Sequence, residues 1–435
     1  MRNLRLFFML LSLSWLTFSC SDDDNNNVVP DDASQSFGEL EGEYIRLAMM
    51  VDSTQMMIMD PVSEQTKFTV SEPMTPGARY YLSPTGRYLV SIERSQNQTR
   101  FFDVGIVNHN DHGHEYQALW LDKVITSPLP THYSDTGDDI VIFNDGDGSI
   151  IHIEESRLEF DGYQAPVIPM PNQTQHHGAT VRLDNGLFAV TFQDNPTEGN
   201  KRLPQAVKLV DGQGQVQVDN EDVRVGAIHG NTSNGKVALF GSTDGVIVAN
   251  ANNEISLIPN VDTLLNATSG NWIGRVIGHD DLDVFYGWVR LQGLLRIDPA
   301  SQSMTRFYEG DDVKSIFFSE DGAYLILHKT DDEIVVYNAA SGNEMTQEVI
   351  AIAPDAAYDN ARKEAPTELE RLRLMEEPER VLTTSAEFLY VLEPSQTEIN
   401  VLRLSDLSSV KTITLDAPVD LIKRVGFHRK ENAAW

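Results

Sequence analysis

From Tyr44 onward, apolar and polar residues alternate with a period of two, in short runs separated by Gly, Asp and Asn. YIRLAMMVD (44–52), YYLSPTGRYLVSIE (80–93), DIVIFNDGDGSIIHIE (139–154), KVALFGSTDGVIVAN (236–250) and SIFFSEDGAYLILHKTDDEIVVYN (315–338) are examples. Side chains two apart share one face of a strand, so these runs predict strands, and the tight Gly-containing turns between them predict antiparallel hairpins. One phrase occurs twice, SPTGRYLVS at 83–91 and SEDGAYLIL at 319–327: a strand end, a glycine turn, then an aromatic residue leading the next strand.

Units of about 38 to 52 residues match four-stranded propeller blades. The expected fold is all-β, a single β-propeller over residues 40–435 whose N- and C-terminal strands close the ring together. Seven blades are favoured and eight remain open. Helical periodicity is nearly absent, except at 354–380, PDAAYDNARKEAPTELERLRLMEEPER. This highly charged stretch is expected to be a solvated excursion between late blades, with a partner-docking element as the other reading.

The N-terminus follows a different pattern. Residues 1–19 carry Arg2 and Arg5, run apolar from Leu6 to Phe18, and end at Ser19 before Cys20. That is an export signal with a loose lipobox, so Cys20 is expected to be lipidated, and the apolar run is too short to span a bilayer. Residues 20–39, polar and acidic, read as a disordered tether. The predicted location is therefore the bacterial cell envelope, facing the periplasm. Ser21 leans toward the outer membrane, and a soluble periplasmic form is the alternative.

Composition narrows the chemistry. Cys20 is the only cysteine in 435 residues, so the mature body has no thiol for a disulfide, a thiolate metal site or a nucleophile. The net charge of −32 becomes −34 when the signal is removed, a field that repels nucleic acid and anionic lipid and concentrates cations. Contact with a membrane is expected through the lipid anchor only, nucleic-acid partners are excluded, and a monomer is expected.

Any metal must therefore be held by His, Asp, Glu or Asn. Four places put histidine near a blade start: PTHYSD (His132), QHHGATV (His176, His177), AIHGNTS (His229) and VIGHDDL (His279). The steps of 45, 52 and 50 residues are each one blade long. Equivalent positions in successive blades are related by rotation about the propeller axis, so these side chains should converge at one rim of the channel. Neutral imidazoles with one or two carboxylates suit divalent zinc. HNDHGHEY (109–116) is read as a mobile loop inserted between blades over that rim. His112 and His114 are its preferred ligands, then His109, with Asp111 or Glu115 adding an oxygen or orienting a ring. FNDGDGSI, ending at Ile150, resembles half a calcium loop but lacks the later glutamate. It is read as a turn, with Asp145 an extra carboxylate at the rim.

The blocks VGIVNHNDHGHEY, SPLPTHYSDTGDDIVIFNDGDGS, QHHGATVRLDNG, AIHGNTSNGKVALFGSTDGVIVAN and VIGHDDLDVF, in order over about 80 to 285, resemble the AztD periplasmic zinc metallochaperones. The resemblance implies a β-propeller that binds Zn2+ and hands it to the solute-binding protein of a zinc ABC importer. It also implies metal binding by His109, His112, His114, His132, His176, His177, His229 and His279. Two departures stand out. The cysteine pair that members often carry near the His-Gly block is absent here (Val223 to Ala227, Ser242), and this chain reads as tethered where members are usually free. Two other functions compete with a non-catalytic zinc chaperone. One is a metal-dependent propeller hydrolase or lactonase with Asp111, Asp145 or Asp280 as base. The other is an interaction propeller whose histidines are structural.

Overall fold

The computed structural model describes residues 36–109, 112–171, 174–194, 203–261, 272–355, 359, 363–365 and 367–428. These form eight four-stranded antiparallel sheets and one two-stranded hairpin. Seven blades are continuous in sequence: blade 1 at 79–126, blade 2 at 130–168, blade 3 at 180–219, blade 4 at 228–259, blade 5 at 273–309, blade 6 at 313–349 and blade 7 at 382–414. The eighth is composite. Its inner strand Leu421–Gly426 pairs with Ile45–Val51, with Ile45 opposite Gly426 and Met50 opposite Leu421, followed by Gln55–Met59 and Thr66–Ser71. The ring is therefore closed by both ends of the chain, as the sequence suggests, but with eight blades, one more than the favoured count.

Burial explains the strand compositions. Middle strands such as Phe188–Phe192, Phe285–Val289 and Phe388–Leu392 are buried along their whole length, because neighbouring blades cover both faces of each sheet. Outer strands such as Glu344–Val349 are largely exposed and correspondingly polar. Among the described residues no helix is long and apolar enough to cross a membrane. Cys20 and the segment read as signal and tether up to residue 35 lie outside the described residues, as does Asp111.

The excursion lies between blades 6 and 7, where the sequence places it, but it is not a solvated loop. Its helix Glu368–Met375 starts in a capping box, in which the backbone N–H of Glu370 donates to Thr367 Oγ1 and that of Thr367 to the Glu370 carboxylate. Leu372 and Met375 are buried with Trp272 and Leu294 of blade 5. Arg275 donates to the carbonyl of Met375 at 2.6 Å, and Arg79 of blade 1 is paired with Glu377. The stretch following the helix is thereby seated across several blades at one end of the channel.

Candidate metal centre

Backbone irregularity aims the first ligands. The inner strand Pro130–Thr136 of blade 2 shifts register between Pro130 and His132, and Ile228–Ser233 of blade 4 shifts between Ile228 and Asn231. A bulge of this kind redirects a side chain without ending the strand. His132 and His229 sit at those bulges. His177 comes from the extended approach to the inner strand of blade 3, and both His-Gly pairs have steric reasons. A Cβ at Gly178 would meet the Phe143 ring and Thr191 Oγ1 at 2.5 Å. At Gly230, whose φ is +77°, it would meet Arg275 Cα at 2.8 Å.

The three imidazoles converge with Glu376, which immediately follows the excursion helix. Nε2 of His177 lies 2.9 Å from Nε2 of His132 and 3.1 Å from Nε2 of His229. Behind the cluster, His177 Nδ1 donates to Asp145 Oδ2 at 2.8 Å, and His229 Nδ1 donates to the Gly274 carbonyl at 2.8 Å. A carboxylate and a carbonyl only accept, so both Nδ1 atoms carry hydrogen. In the neutral rings each Nε2 is then a bare lone pair. Two lone pairs facing each other at 3.1 Å make no hydrogen bond, whatever tautomer His132 adopts. A cation between them satisfies both, and nitrogens held at 2.0–2.1 Å around a tetrahedral zinc are roughly 3.3 Å apart.

Glu376 supplies charge. Its carboxylate lies 3.0 Å from His132 Nδ1 and 3.5 Å from His229 Nδ1. Oε2 is buried, and its near neighbour is His132 Nδ1, so the carboxylate brings an anionic oxygen to the edge of the imidazole cluster. Burial favours the neutral form of His177 and His229: desolvation, only partly opposed by Asp145, brings His177 down to about 3, and desolvation also lowers His229. Burial raises Glu376 and Asp145, but the adjoining imidazoles outweigh it and keep both well below the usual carboxylate range. Asp145 Oδ2 also accepts from Arg94 at 2.8 Å and Arg373 at 3.4 Å. Asp145 thus orients His177 from behind instead of adding a carboxylate at the rim. Its stretch is a turn, as read from sequence, with Asp147 accepting from Ser149 N at 2.9 Å.

The other histidines of the sequence pattern stand elsewhere. His176 is buried, donates through Nδ1 to the Thr174 carbonyl at 2.7 Å and packs edge-on against Phe143 at 5.1 Å. His279 follows the end of the inner strand Ile273–Ile277, so counting 50 residues from His229 overshoots the equivalent position, where Gly274 offers its carbonyl. His279 Nε2 donates to the Glu320 carbonyl at 2.9 Å, and its Nδ1 accepts from Asp281 N at 3.2 Å. It does not converge with the other three.

HNDHGHEY forms a hairpin, Ile106–Asn108 with Gly113–Glu115, inside blade 1 and not between blades. Arg46 of the closing blade grips Glu115, which makes Glu115 an anchor of the hairpin. The rings of His109, His112 and His114 gather at the exposed end, with centroids 4.8 to 5.8 Å apart and His112 Nε2 3.1 Å from His114 Nε2. This exposed trio is separate from the buried set of His132, His177, His229 and Glu376, the one set of potential metal ligands that converges among the described residues. Glu376 is the residue the sequence reading missed. Its signal was the capping box Thr367-Glu370 and the apolar series Leu369, Leu372, Met375, which mark a helix with a buried side.

No protein-family model matches the chain. Among solved structures it is similar to apo AztD from Citrobacter koseri, with a TM-score of 0.70, 17% identity, and 88% of this chain aligned to 98% of that one. A second structure of Citrobacter koseri AztD gives 0.71, again at 17% identity, over 89% of this chain and 99% of that one. Dihydro-heme d1 dehydrogenase NirN is more distant, with a TM-score of 0.52, 12% identity, and 90% of this chain against 76% of that one. The likeness to AztD extends over nearly the whole of both chains and establishes the propeller architecture.

Proposed function

We propose that the protein is a zinc-binding metallochaperone of the cell envelope, tethered through Cys20, that captures Zn2+ and delivers it to the solute-binding protein of a zinc importer. The observation that carries the metal reading is the pair of bare Nε2 lone pairs on His177 and His229, facing each other at 3.1 Å in a cluster that His132 and Glu376 complete. Three nitrogens and a carboxylate suit zinc, and the donor set contains no soft sulfur ligand. The AztD-like fold and the blocks His132, His177-Gly178 and His229-Gly230 support delivery as the purpose. The exposed trio His109, His112 and His114 gives the ion a place for exchange with a partner at the surface.

Two measurements test this. Titration at pH 7.5 should show zinc bound far more tightly than by a surface histidine pair. The loaded protein should then pass its ion to an importer's solute-binding protein faster than zinc dissociates into buffer. Failure to bind sinks the metal reading, and transfer no faster than dissociation sinks the chaperone reading. Metal-dependent turnover of esters or lactones would favour the hydrolase alternative instead.

A further inference from the structure

The centre has a solvent side. A cavity of about 1020 Å³ occupies the central channel, and His132 and Glu376 belong to its lining whereas His177 and His229 do not. At the other end, Leu372 and Met375 are packed against blade 5, with Arg373 bonded to Asp145. An ion arriving through the cavity would therefore meet His132 and Glu376 first.

The cavity wall is acidic at its exposed residues, among them Asp135, Asp138, Asp280 and Asp281. Asp135 lies three residues beyond His132 on the same inner strand, roughly 10 Å along the channel at strand rise. Asp280 follows the inner strand of blade 5 across from it, and both line the cavity. The side chains of Asp135 and Asp280 are both exposed, and partial desolvation in the cavity together with the charge of Asp280 raises the Asp135 carboxyl. Two carboxylates that resist ionising together are stabilised most by a cation. The arginines of the cavity are engaged elsewhere: Arg424 with Glu320 at 2.5 Å, and Arg275 with the Met375 carbonyl.

We propose that the central channel is the path by which a divalent cation reaches and leaves the His132, His177, His229 and Glu376 centre, with Asp135 and Asp280 drawing it in at the mouth. This rests on the reading of the centre as a metal site. The two aspartates touch the ion only in transit, so they act on the barrier: capture and release change together and affinity stays nearly constant.

Stopped-flow uptake of Zn2+ from a fluorescent chelator by the full chain tests the path. Asp135→Asn with Asp280→Asn should slow uptake about tenfold, the low end of what electrostatic steering contributes. Stoichiometry and affinity should not change, and added salt should slow the wild type more than the variant. Ser134→Trp, which narrows the cavity above His132, should slow both uptake and release. If it fails to fold, the aspartate pair carries the test alone. Wild-type uptake rates in the folded variants overturn the path while leaving the centre intact, most plainly if His112→Ala with His114→Ala slows uptake instead. A wild-type protein that takes up no zinc overturns the centre and the path with it.

Discussion

At the scale of single residues, the decisive relation is between each imidazole and the group behind it. Asp145 and the Gly274 carbonyl fix hydrogen on the Nδ1 atoms of His177 and His229, which leaves both Nε2 atoms as donors to a metal. Replacing His177 or His229 with Ala should abolish tight zinc binding in a calorimetric titration. Asp145→Asn should leave the ligands in place but weaken binding about 10- to 100-fold, the range for losing a group that orients a ligand. Acid should act through the same rings. The unfolded chain protonates His177 near 6.5, the folded one only near 3, so its contribution to stability is full above about 6.5 and is lost as pH falls toward 3. In denaturant melts of zinc-free protein, wild type should lose stability relative to His177→Asn across that window, and parallel pH profiles would contradict the assignment. Asp135 and Glu155, both pushed up to about 7, titrate alike in the two proteins and cancel in the comparison.

At the scale of elements, three ligands stand on or beside the inner strands of a close-packed ring and the fourth follows a short inserted helix. Leu372→Ala alters no ligand, yet it removes the buried contact that seats Glu376. It should cost about 2–5 kcal/mol locally and weaken zinc binding, read as a lower melting temperature together with a lower affinity. The strands were legible because alternation and glycine turns are local signals, and His132, His177 and His229 were legible because blade repetition makes distant positions equivalent. His279 was misplaced because blade lengths vary, so a constant step runs past Gly274 to the far end of the strand. Glu376 was hidden for a different reason. Its neighbours are non-local, and a charged helix displays only a narrow buried stripe at Leu372 and Met375.

At the scale of the whole molecule, closure decides which parts are separable. The inner strand Leu421–Gly426 completes the blade begun by Ile45–Val51, so deleting residues from 417 onward removes strand pairing and should prevent cooperative folding, seen as loss of a sharp thermal transition. The structure takes the count of eight, open beside the favoured seven, and the two were hard to separate because this composite blade is split between the two ends and blade 1 is lengthened by the histidine hairpin. With the ring closed, the buried centre and the exposed hairpin are distinct groups, and tight binding is expected at the former. The most direct test is zinc K-edge absorption spectroscopy on the His109, His112 and His114 to Ala variant, which removes the exposed histidine trio and keeps the buried donors. One zinc per chain is expected, bound by three imidazole nitrogens and one carboxylate oxygen at about 2.0–2.2 Å. Protein free of zinc, or a spectrum unchanged by removing His177, would contradict it.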